Sequence, residues 1–144
     1  MSIEDEVHGE NFRYIQGLKI LDTLDPTAKA AFDALFADVA PDMSRLIVDI
    51  PFGKIYSRQG LTLRERQLVS IAALTVLGTA PHQLAIHIRG GLNVGCQIEE
   101  IVEIMIQMTI YAGFPAAING LKVARDIFEE RNSKCVASKS SIPE

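Results

Sequence analysis

Two long stretches without Asp, Glu, Lys or Arg constrain this chain most: Gln67 to Ile88 and Ile104 to Leu121. An unbroken stretch of about 20 apolar residues can cross a bilayer. Neither stretch is unbroken. Gly78 and Pro81 interrupt the first, which also holds His82, Gln83 and His87. Gly113 and Pro115 interrupt the second, which holds Gln107 and Asn119. Each therefore splits into two helices too short to span a membrane. They read as buried helices of a soluble assembly. With 48% hydrophobic residues in 144, the chain is oily for a small monomer. Apolar surface is expected to be covered by further copies of the chain. The length suits one domain, expected over residues 1–131, followed by a polar, disordered tail over 132–144. A net charge of −4 with no basic patch argues against nucleic acid as a partner.

The periodicity is helical nearly throughout, and no strand alternation stands out. The first helix is expected over Ile3 to Asp22, weakened by Gly9 and Gly17. Asp25 and Pro26 read as N-cap and first residue of the second, with Ala28, Phe32, Leu35, Phe36 and Val39 on one face. Pro41 opens a segment with Met43, Leu46, Ile47 and Ile50 inward, which Pro51 bends or ends. Phe52 to Leu61 reads as a connection, with room for one helical turn and then a loop. Thr62 and Glu65 form a capping box for a helix that is apolar almost all round from Leu68 to Leu77. Further helices are expected over Pro81 to Val94, Ile98 to Tyr111 and Pro115 to Glu130. The adjacent Gly90 and Gly91 within a helix cost roughly 1 kcal/mol each relative to Ala. Something there should need a close approach of backbone.

Few residues in the apolar half carry chemistry. His87 lies between Ile86 and Ile88, where an imidazole can move a proton near neutral pH. The plainer alternative is a core histidine whose ring N–H bonds a carbonyl. His82 and His87 diverge by about 140° on a helix, which does not suit a zinc pair, and no metal site is expected. Arg64 and Arg66 sit at a helix N-terminus, against the dipole, a hint of an anionic partner. The two cysteines, Cys96 and Cys135, form no CxxC. Cys96 reads as structural. The acidic start, Met1 to Glu6, has no apolar core of the secretory kind, so the cytoplasm is the expected location.

Five motifs in one register then resemble the carboxymuconolactone decarboxylase family, part of the AhpD-like superfamily. They are Phe52–Leu61, Leu63–Leu74, Gly78–His87, Gly91–Ile101 and Tyr111–Ala117, within a likeness running from about residue 10 to about residue 130. The resemblance implies an all-α, AhpD-like bundle of about six to eight helices that assembles as a trimer or hexamer. In the peroxidase branch of the superfamily two cysteines of a CxxC precede the histidine. Here their positions hold Ala80 and Gln83. The decarboxylase branch lacks those cysteines and keeps the histidine, as this chain does. That branch usually carries glutamate where this chain has Gln67, so a possible proton acceptor is missing.

The activity implied is that of a cofactor-independent lyase of aromatic-compound catabolism, acting on a small anionic lactone like 4-carboxymuconolactone. His87 would donate the proton, with Glu65 as a second catalytic candidate. Arg58 or Arg66 would hold a carboxylate, and Gln107 or Tyr111 would orient the lactone. Gln67 and His82 complete the expected substrate contacts. Two alternatives stand beside this reading: a thiol enzyme acting on peroxide, and a non-catalytic oligomer that binds a ligand.

Overall fold

The computed structural model describes the backbone of residues 3–139, and side chains at Gly9 and from 11 to 133. Among these residues the regular structure is entirely helical. The chain divides into two compact units, Met1–Leu63 and Arg64–Glu144.

In the first unit, α1 (Ile3–Leu24), α2 (Ala28–Phe36) and α3 (Met43–Ile47) are followed by a π-helix over Val48–Tyr56. Leu21, Ala28 and Val48 form its buried core, with Tyr14, Leu18, Phe32 and Phe52 packed around them. The π-helix supplies the helical turn expected from Phe52, ending at Tyr56 before an irregular stretch, and it passes through Pro51. Proline clashes with the carbonyl four residues back in an α-helix, and the wider π-turn shifts that register. Gly17 and Gly53 let α1 and the π-helix meet backbone to backbone. A Cβ on Gly17 would collide with the Val48 carbonyl oxygen, and one on Gly53 with that of Arg13. The glycine that weakens α1 in isolation is thus what docks it.

The second helix starts later than Asp25 suggests. The Asp25 carboxylate accepts from the Thr27 backbone N–H (2.8 Å) and hydroxyl (2.7 Å), closing a turn ahead of α2. The inward faces also differ from the sequence reading. Ser44 and Val48 are buried, whereas Met43, Leu46 and Ile50 are exposed. On α2, Ala28 is buried and Leu35 is exposed, as is Val39 in the turn beyond it.

The second unit contains α4 (Leu63–Leu77, whose first residue closes the other unit), α5 (Pro81–Asn93), α6 (Ile98–Gln107) and α7 (Thr109–Lys139). Its core joins Ile71 of α4, Leu84, Ile88 and Leu92 of α5, Ile101 and Met105 of α6, and Ala124 and Ile127 of α7, with Cys96 from the α5–α6 loop. Gly113 breaks α7 at φ 77° and ψ 167°, a backbone that side chains beyond glycine rarely adopt. The break falls where Gly113 to Pro115 was read as a turn. Beyond it the helix continues to Lys139, through the first part of the segment read as a tail. Residues 140–144 lie outside those described. No described helix is long and apolar enough to cross a membrane.

The expected apolar cylinder at α4 takes an unusual form. Its buried face is Gln67, Ile71 and Thr75, while Val69, Val76 and Leu77 are exposed. Two of the three residues it buries are polar, and much of its grease faces outward.

Candidate active site

The buried face of α4 follows an i, i+4, i+8 spacing, which puts Gln67 in line with Ile71 and Thr75. On α5 the buried positions are Leu84, Ile88, Gly90, Gly91 and Leu92, of which Gly91 lies against Gln67 and Ile71. At Gly91 the structure does not require the close backbone approach that the sequence suggests. A Cβ there would stand 3.5 Å from Gln67 Cβ, 3.5 Å from Ile71 Cδ1 and 3.4 Å from Cys96 Sγ. These are ordinary van der Waals distances, so an alanine would fit here.

His87 is largely buried, one turn ahead of Gly91. Its Nδ1 lies 2.8 Å from Gln67 Oε1. An amide oxygen only accepts, so this pairing matches the tautomer with hydrogen on Nδ1 and a lone pair on Nε2. Burial lowers the proton affinity of the ring from the ordinary value of 6.5, because desolvation penalises the imidazolium. At neutral pH the ring is therefore uncharged, with Nε2 as its free acceptor. The bond is to a side chain rather than to the backbone carbonyl of the plainer sequence alternative.

The N-terminus of α4 is tied down beside this pair. The Arg64 guanidinium pairs with the Glu100 carboxylate, and its Nε donates to the Gly95 carbonyl at 3.3 Å. Glu100 Oε2 also accepts the Gln97 backbone N–H at 2.8 Å, at the start of α6. The Gln97 N–H and then the Arg64 guanidinium hold the Glu100 carboxyl below the usual carboxylate range. The anionic partner hinted at by Arg64 is thus a carboxylate of the same chain. Sequence reasoning missed the link to Glu100, although arginine against the helix dipole was the available signal.

Cys96 is buried within this loop, its thiol 3.7 Å from the Arg64 carbonyl oxygen. Burial raises its pKa, so the thiol stays protonated and a poor nucleophile. Among the described residues no group of three or more His, Cys, Asp or Glu is placed to hold a metal ion.

Of the residues expected at the site, the structure brings His87 and Gln67 together. Arg66 is half-buried on the same helical turn as Gln67. Glu65 is exposed on the first turn of α4, and His82 on the first turn of α5. Gln107 ends α6 and Tyr111 lies near the start of α7, both exposed. Arg58 belongs to the first unit, just after the π-helix, and is exposed.

An imidazole paired with a buried amide inside a helical core, with no CxxC in the sequence, defines the class: an all-helical protein with a histidine–glutamine pair at its candidate site. The chain belongs to the carboxymuconolactone decarboxylase family, whose sequence profile matches residues 41–126. It is 32% identical over 93 residues to a 4-carboxymuconolactone decarboxylase of Acinetobacter baylyi, covering 65% of this chain and 69% of that one. An uncharacterised 15.0 kDa protein of Paracoccus denitrificans is 34% identical over 100 residues, covering 64% and 75%. A nitrosuccinic acid decarboxylase of Metarhizium robertsii is 28% identical over 89 residues, covering 62% of each chain. Family and relatives together support a decarboxylase-like function.

Proposed function

We propose that this chain is a cofactor-independent carboxy-lyase acting on a small anionic lactone of the 4-carboxymuconolactone kind, with His87 carrying the proton. The observation that carries the reading is the His87–Gln67 pair, a titratable ring oriented by a buried amide in a family whose named relatives include decarboxylases. As the carboxylate departs as carbon dioxide, its bonding electrons pass into the conjugated lactone carbonyl and form a dienolate. A proton from Nε2 then adds to the ring carbon. The conjugated carbonyl is the electron sink, so the substrate itself does what a cofactor does elsewhere.

Arg66 holds a substrate carboxylate as a bidentate partner. Gln107, Tyr111, His82 and Glu65 fall to the same site in this reading. The exposed apolar residues Val69, Val76 and Leu77 of α4, with Ile110, Phe114 and Ile118 of α7, are covered by further copies in a cytoplasmic trimer or hexamer. Residues 1–131 act as one functional domain. The thiol alternative loses support from Ala80 and Gln83 at the CxxC positions and from the buried Cys96.

The test is carbon dioxide release from 4-carboxymuconolactone by the purified full chain. Turnover is expected, with a fall of about 100-fold or more in His87→Ala, as for loss of a general acid–base group. Absence of turnover on this and related lactone acids overturns the reading. Undiminished turnover in a folded His87→Ala protein does so equally.

A further inference from the structure

We propose that Gln67 is the positioning residue of this site: its side-chain oxygen holds His87 through Nδ1–H, so that Nε2 is the ring atom through which the reaction's proton passes. This rests on the reading of His87 as the proton carrier and takes Gln67 out of the set of substrate contacts. Gln67 is only 1% exposed. Its oxygen is engaged by His87 at 2.8 Å. It also sits in a fixed register, between Ile71 one turn further along α4 and Gly91 across on α5. A residue so enclosed has nothing to offer a lactone, but it can dictate how the imidazole stands.

The chemical identity of the partner matters as much as its place. A carboxylate would also accept from Nδ1–H, but its charge would stabilise the imidazolium. An amide fixes the tautomer without that bias. The ring therefore rests neutral, with a bare Nε2. Each cycle then begins when Nε2 takes a proton from solvent. The substrate carboxylate leaves as carbon dioxide, its bonding pair becomes the dienolate, and the Nε2 proton moves to carbon. The imidazole is returned neutral, and one solvent proton is consumed for each carbon dioxide released. The pH dependence follows from the ring acting as the acid: turnover rises as pH falls toward the value at which the buried ring binds a proton.

The charged groups on the surrounding elements have other placements. Arg64 of α4 pairs with Glu100 of α6, and Arg89 of α5 with Glu130 of α7 at 2.9 Å. Arg131 of α7 donates to Asn93 Oδ1 at 3.2 Å. Glu65 of α4, His82 of α5, Glu99 and Glu103 of α6, and Lys122, Arg125, Asp126 and Glu129 of α7 are exposed. Arg66 is half-buried on the same turn as Gln67. Burial is what lowers the proton affinity of His87.

The experiment is long-range nitrogen–proton NMR of the full chain at about pH 7.5, without substrate, with the His87 signals assigned by their loss in His87→Gln. The expected spectrum has a protonated Nδ1 and an unprotonated Nε2. In Gln67→Glu the His87 titration and the pH at which turnover falls off on the alkaline side should both move up by about one pH unit, tenfold in proton affinity, or more. In Gln67→Leu the tautomer preference should be lost, with helicity by circular dichroism reporting on the fold. An Nε2–H tautomer or an imidazolium in the parent protein overturns the proposal, as does an unmoved titration in Gln67→Glu. If Gln67→Leu does not fold, the parent spectrum and Gln67→Glu decide. Because the spectrum needs no substrate, a wrong tautomer is distinguishable from the failure of decarboxylation in the His87→Ala assay.

Discussion

Replacing Gly17 by alanine should destabilise the protein, although the same change is usually favourable in a helix. Alanine exceeds glycine in helix propensity by about 1 kcal/mol, so propensity alone predicts a gain. At Gly17 the new methyl would meet the Val48 carbonyl oxygen closer than real side chains ever approach, with the Gly53 nitrogen 2.9 Å away on the same side. Both obstacles are backbone, and no rotamer change relieves them. Helix α1 has to shift from the π-helix and disturb the packing of Leu21 and Val48. Overpacking of this kind costs about 1–3 kcal/mol, and a backbone obstacle belongs at the upper end. The expected net loss is about 2 kcal/mol, some thirtyfold in the folding equilibrium. Gly9 of the same helix provides the control, because a methyl there meets nothing within 4 Å. Gly9→Ala should be neutral or more stable by about 0.5–1 kcal/mol. Urea titrations followed by circular dichroism, at one protein concentration, give both values. A Gly17→Ala midpoint at or above that of the parent would refute the crossing described here.

Three further outcomes are expected. His87 binds protons less well folded than unfolded, so its contribution to stability is complete above about pH 6.5 and is lost as pH falls toward the folded value, by at most about 1.4 kcal/mol per pH unit; thermal melts between about pH 7.5 and 5 should show this slope, and its persistence in His87→Gln would assign it to other groups. In a Cys135→Ser background, Cys96 should react with a thiol reagent only as the protein unfolds, and rapid labelling of the native form would contradict its burial. Ile88→Ala removes a fully buried core side chain and should cost about 2–5 kcal/mol in chemical denaturation, where a cost under about 1 kcal/mol would mean that the core is misassigned.

The helical class was legible because uncharged stretches broken by Gly and Pro admit few other solutions. The limits of α5 were legible too: Pro81 starts it as expected, and it stops at Asn93, one residue short of Val94. The π-helix was not, because its wide turn is bound up with the contact between Gly17 and Gly53, far apart in sequence. The burial of Ser44 instead of Met43 was hidden for a related reason: hydrophobicity alone does not fix how a short helix is rotated against its neighbours. At the candidate site, His87 stood out as an ionisable group in an apolar run. Its partner could not be seen, because Gln67 lies twenty residues away on another helix. In sequence Gln67 registered only as a departure from a family pattern, and three dimensions were needed to reveal the ring beside it.

The Glu100 carboxylate fastens two helices with one charge. One oxygen receives the opening N–H of α6, and the other receives the arginine at the root of α4. A proton arriving there in acid weakens both fastenings in the same event. Gln67 stands one turn along α4 from that arginine, so the alignment of the imidazole depends on the ionisation of a group that never touches it. Acid can then reach the site by two routes, through this hinge pin and through the ring itself.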